Sequence, residues 1–150
     1  MFRSYNQTQP HFYISGYFEE NKDEYIEQMR NVSQTNDWNK WIQFFLNAVE
    51  SQAILNLEIA ESIKNLYETT KAEFSDLLSS KWNMEILDFI FTYPVFRNNK
   101  FVSTTKIPNA TAVLIIRKLV DNGYLVLREE AAGRRAAMYS FEPLMRLVRV

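Results

Sequence analysis

The chain of 150 residues has no cysteine. Disulfides, thiolate nucleophiles and cysteine-ligated zinc are therefore excluded. Its one histidine, His11, stands alone near one end, and a surface or packing role outweighs a catalytic one. A metal site needs several convergent ligands, and the carboxylates here are scattered along helical stretches. Glu19, Glu20, Asp23, Glu24 and Glu27 crowd together, but a solvated helix start explains them better than a bound cation. Neither metal, cofactor nor catalytic residue is expected. No apolar run approaches the ~18–20 residues that span a bilayer, and the opening MFRSYNQTQP lacks the apolar core of a signal peptide. A soluble, cytoplasmic protein with no membrane partner is expected.

What is present is an ordinary globular balance, 47% apolar and 23% charged, so disorder is not the default. Aromatics reach 15%, and most need packing partners. The net charge of −1 conceals an asymmetry. Residues 1–94 hold 7 Lys and Arg against 14 Asp and Glu, whereas residues 95–150 hold 10 against 4. This points to two modules, the basic one a candidate for a polyanionic partner. Attraction between the two halves is the plainer alternative.

Glycine and proline are scarce, and between Gly16 and Pro94 neither occurs. That stretch is predicted to be almost wholly helical. A first helix is expected over about 19–33, with Tyr25, Ile26, Met29 and Val32 as its apolar stripe. Residues 33–37 read as a loop, with Asp37 the N-cap of the next helix. From Trp38 to about residue 70 apolar residues keep helical spacing, which makes a helix about 48 Å long. A compact domain of this size has a radius of gyration of about 15 Å, so part of this helix is expected to meet another chain or a further domain. A kink near Thr69-Thr70 is an equal alternative. A short helix follows to Pro94, then a weak helix over Phe96–Thr105 and a turn at Lys106-Ile107-Pro108. A third helix runs to the C-cap signal Asn122-Gly123. Residues 124–128 and 137–141 read as strands of a hairpin across the Gly133 loop, and a helical turn or two follows Pro143. The fold class expected is mainly α with a small β-hairpin.

The order helix, short helix, turn, helix ending in Asn-Gly, hairpin is that of a winged helix-turn-helix. The stretch IPNATAVLIIRKLVDNGYLVLREEAAGRRAAMYSF resembles the recognition helix and wing of many bacterial regulators. The earlier stretch FYISGYFEENKDEYIEQMRNVSQTNDWNKWIQFFLNAVESQA resembles the region after the active-site motif in Fic-family proteins. Ile14-Ser15, Tyr17, Tyr25, Asp37-Trp38 and Trp41 to Leu46 are the most telling residues. The resemblance implies a Fic-like helical segment over 1–80 and a winged helix over 81–150. Fic enzymes transfer AMP from ATP with a histidine, an acidic residue and a Gly-Asn-Gly-Arg loop. This chain has no Gly-Asn-Gly, and His11 matches the segment beyond that loop, so no catalytic residue carries over. The chain is then either the C-terminal piece of a protein adenylyltransferase or the product of a gene that lost its catalytic half.

Candidate contacts follow from these readings. For DNA they are Lys106, Arg117, Lys118, Arg134 and Arg135, suited to phosphates, and Asn109, of a type that reads bases. Gly133-Arg134-Arg135 lies between strands, unlike a nucleotide loop, which leads into a helix. If Ala112, Ile115, Ile116 and Leu119 face inward, the outward face of the third helix carries Val113 and Leu114, an apolar pair where base reading favours Arg, Lys, Asn or Gln. Trp38, Trp41, Phe45, Val113 and Leu114 are therefore the candidate protein interface. The expected partners are DNA, a Fic catalytic core or another copy of the chain in a homo-oligomer.

Overall fold

The computed structural model describes residues 14–148. His11 lies outside the described residues. The elements in chain order are α1 (Ser15–Glu20), α2 (Lys22–Thr35), α3 (Asn39–Leu78), α4 (Asn83–Thr92), β1 (Val95–Arg97), α5 (Asn98–Thr105), α6 (Asn109–Asp121), β2 (Leu125–Glu129), β3 (Met138–Phe141) and α7 (Glu142–Val148). The fold is mainly helical with a small antiparallel sheet. Among the described residues no helix is long and apolar enough to cross a membrane. The chain divides into two compact units between Glu58 and Ile59.

In the first unit the single helix expected over 19–33 is two. The chain breaks at Asn21, whose side-chain amide donates to the Tyr17 carbonyl at 2.9 Å. The loop expected at 33–37 shrinks to a corner. Asn36 takes the left-handed conformation (φ 54°) and its N–H closes α2 on the Val32 carbonyl. Asp37 caps α3 by accepting the Asn39 N–H at 3.0 Å, as its residue type predicts. Tyr17, Phe18, Tyr25 and Trp41 gather around Phe44 with ring centroids 5.9–6.5 Å from it. Phe44 and Ala48 are the only buried residues among the described ones here.

The second unit holds the larger core. Helix α3 continues to Leu78, past the end expected near residue 70 and with no break at Thr69-Thr70. The reason is tertiary: Thr70, Phe74 and Leu78 recur every four residues and all are buried. Phe74 and Leu78 meet Ile86, Leu87 and Ile90 of α4, Phe101 of α5, Ile115 and Leu119 of α6 and Phe141 of β3 in one cluster. The inward face expected for α6, Ala112, Ile115, Ile116 and Leu119, is buried as read.

The start of the weak helix expected over Phe96–Thr105 is instead a strand. Residues Val95–Arg97 pair antiparallel with β3, so the hairpin of β2 and β3 becomes a three-stranded sheet in the order β1-β3-β2. Three residues carry no local strand pattern; the exposed β3 edge recruits them. Phe96 is thereby turned inward, edge-on to Phe89 at 5.0 Å. A register shift between Leu127 and Glu129 marks a bulge in β2.

Candidate functional site

Every candidate residue on α6 is at the surface: Asn109, Val113, Leu114, Arg117 and Lys118 are all exposed. Val113 is 56% and Leu114 67% exposed, high for aliphatic side chains at the middle of a helix. Each stands at the rim of a groove. On one side Leu114 joins Leu78, Thr111 and Ile115 beside a groove of about 550 Å³. On the other, Val113 joins Ile116, Val120, Leu127 and Tyr139 beside one of about 250 Å³. Arg117 lines both, and Lys118, Asp121 and Ser80 complete the polar rim of the first, whose surface is mostly apolar.

The basic candidates divide by what they already bind. Lys118 donates to the Leu77 carbonyl at 2.8 Å and so satisfies an orphan carbonyl of the last turn of α3, where a cation also suits the helix dipole. Arg117 is 3.8 Å from Asp121, both well exposed, a pairing of little energetic weight. Lys106 holds the left-handed C-cap of α5 (φ 58°) through its backbone, leaving its side chain exposed beside the start of α6. Asn109, at the first position of α6, is likewise exposed.

Arg134 and Arg135 lie in a tight turn. Ala132 and Arg135 exchange both backbone hydrogen bonds, at 3.0 and 2.9 Å. Of the two central residues only Gly133 has positive φ, 56°, which fits a type II′ turn and its preference for glycine first. Arg135 is 3.7 Å from Glu129; Arg134 makes no ion pair among the described residues. The turn is held by Arg97, which sequence reading did not single out. Arg97 of β1 donates from Nη1 to the Ala136 carbonyl at 2.8 Å and from Nη2 to Glu129 at 2.6 Å. Its hydrogen bond to Arg97, followed by the nearby charges of Arg97 and Arg135, outweighs desolvation and holds the Glu129 carboxyl below the usual carboxylate range.

Of the aromatic candidates, Trp41 packs edge-on to Tyr25 at 5.5 Å and is half-buried in the aromatic cluster of the first unit. Trp38 and Phe45 are 53% and 41% exposed and share the outer surface of α3 with Ile42 and Leu46. Among the described residues no group of three or more His, Asp or Glu converges on a point where a metal would sit. Sequence reading missed Leu127 and Tyr139 as groove residues, because their place beside α6 depends on how the sheet folds back. No protein-family model matches the chain.

Proposed function

We propose that the chain is the non-catalytic C-terminal portion of a Fic-family protein, and that residues 81–150 are a winged helix-turn-helix module docking on a protein through α6. The sequence of elements from α4 to β3, with the strands ordered β1-β3-β2, is consistent with a winged helix. The aromatic residues on which the Fic resemblance rests, Tyr17, Tyr25, Trp41 and Phe44, pack on one another. AMP transfer would belong to a catalytic half that this sequence does not contain.

The observation that carries the docking reading is the exposure of Val113 and Leu114 between two apolar grooves. A helix that reads a DNA groove presents hydrogen-bonding side chains at these positions; one that docks on a protein groove presents an apolar face. The partner to test first is a separately expressed Fic-family catalytic core, titrated with the wild-type chain and with Leu114→Glu. Binding that Leu114→Glu abolishes is expected; binding that it leaves intact, or none by the wild type, overturns the proposal.

A second reading, duplex DNA, is favoured by Lys106 and Asn109 at the start of α6 and Arg134 at the hairpin tip, all exposed. Fluorescence anisotropy with mixed duplex DNA at two salt concentrations tests it, with the double variant Arg134→Ala/Arg135→Ala alongside. Binding that falls both with salt and in the double variant would make the hairpin a phosphate contact.

A further inference from the structure

The first unit presents a second apolar surface, independent of α6. Between Trp38 and Leu57 the outer side of α3 follows a heptad: Asn39, Leu46 and Ala53 alternate with Ile42, Val49 and Asn56 at spacings of three and four, flanked by Trp38, Phe45 and Leu57. Ile42 and Leu46 are 50% and 55% exposed, and the three flanking residues between 41% and 66%. Over these three heptads the seam and its flanks contain one charged residue, Glu50.

We infer that this face binds the same face of a second copy of the chain as an antiparallel helix pair. Antiparallel pairs set a-type against d-type positions, and one register does so without remainder. Leu46 meets Val49 of the other copy, Ile42 meets Ala53, and Asn39 meets Asn56. Large faces small in the apolar layers, and amide faces amide at the two ends, where polar pairs fix register. A parallel pair would stack Ala53 on Ala53 beside Leu46 on Leu46, leaving a void next to a bulge, and would set Glu50 against Phe45. The area also suffices. Exposed portions of Trp38, Ile42, Phe45, Leu46 and Leu57 amount to roughly 500 Å² per copy, on side-chain areas of about 150–250 Å². That falls in the range of about 300–600 Å² for the largest apolar patch on a typical monomer, a patch that is often functional. Two such faces reach the ~1,000 Å² that a specific interface needs before smaller neighbours are counted.

Light scattering coupled to size exclusion is expected to give twice the chain mass at ~100 μM, and Leu46→Glu/Val49→Glu to give the single mass with unchanged helix content by circular dichroism. A monomeric wild type, or a double variant that stays paired, overturns the inference. The absence of native cysteine makes the register testable with a short bis-maleimide. Leu46→Cys is expected to cross-link, since its counterpart lies about 4.5 Å along the axis. Asn39→Cys alone, about 26 Å from its counterpart, is not expected to, whereas Asn39→Cys combined with Asn56→Cys is. Cross-linking of Asn39→Cys alone would mean parallel pairing and would overturn it.

Discussion

Replacing Phe74 by alanine tests whether the second half of α3 belongs to the C-terminal core. Phe74 is fully buried, and its ring lies edge-on to Tyr124 at 5.0 Å and 86°. Removing about 150 Å² of buried apolar surface at about 25 cal/mol per Å² costs about 4 kcal/mol. That agrees with the range of about 3–5 kcal/mol seen when buried phenylalanines are truncated. The aromatic pair adds about 0.5–1.5 kcal/mol beyond its area. A domain of this size has about 5–15 kcal/mol in all, so the variant is expected to keep its fold only narrowly.

Native-state hydrogen exchange read peptide by peptide gives the needed resolution. A loss of about 4 kcal/mol is close to three decades in the opening equilibrium, so the slowest amides of α4 and α6 are expected to exchange about a thousandfold faster. Peptides from residues 15–58 are expected to be unchanged. Ser75→Ala, one residue along and exposed, is expected to do almost nothing. A change below tenfold in α4 and α6 would refute the reasoning, and would mean that residues 59–78 contribute little to that core.

Two further predictions concern polar contacts. Burial, and then the hydrogen bond and charge of Glu73, push the Tyr124 hydroxyl up to about 12. Phenolate absorbance is therefore expected to show a late-titrating tyrosine that Tyr124→Phe removes and Glu73→Gln lowers only in part. Because the folded value exceeds the ordinary value of 10.0, the stability tied to Tyr124 is complete below pH 10 and is lost as pH rises toward 12. Arg97→Ala is expected to speed amide exchange in residues 130–137 while sparing α4, since Arg97 holds both the Ala136 carbonyl and Glu129. With the Glu129 carboxyl held low, the same loosening is expected in the wild type only as pH falls through the depressed pKa of Glu129.

Elements governed by local chemistry were legible in the sequence. The α6 stripe, the Asp37 cap, the left-handed cap at Gly123 and the β2–β3 hairpin across Gly133 all follow from residue type and spacing. What escaped depends on distant partners. β1 exists because β3 offers an open edge, and the last two turns of α3 because the α4–α6 core accepts Phe74 and Leu78. For the candidate site, exposure could be read residue by residue, but prior engagement could not. Lys118 and Arg117 are neighbours of like charge on one helix, yet only Lys118 reaches the Leu77 carbonyl, 41 positions away.

That division of labour among the cations bounds any binding to nucleic acid. The basic surplus of residues 95–150 overstates what a phosphate backbone would meet. Lys118 is committed to α3, Arg97 to Ala136 and Glu129, and Arg128 to Ser140 and Glu142. Of the candidate contacts, Lys106 and Arg134 remain, joined by Arg117 and Arg135 if their loose pairs with Asp121 and Glu129 yield; outside that set Lys100 and Arg146 are also exposed. At a slope of about −0.9 per phosphate, four contacts lose roughly 150-fold in affinity between 50 and 200 mM salt, and two lose roughly tenfold. Contact through Val113 and Leu114 instead adds about 2–3 kcal/mol, for the exposed halves of two aliphatic side chains, with little dependence on salt. Duplex binding steeper than four phosphates allow, and equally steep in Lys100→Ala/Arg146→Ala, would mean that Lys118 or Arg97 leaves its intramolecular partner, refuting the structural roles assigned to them. Duplex binding no steeper than two phosphates allow would leave α6 free to be an apolar docking face.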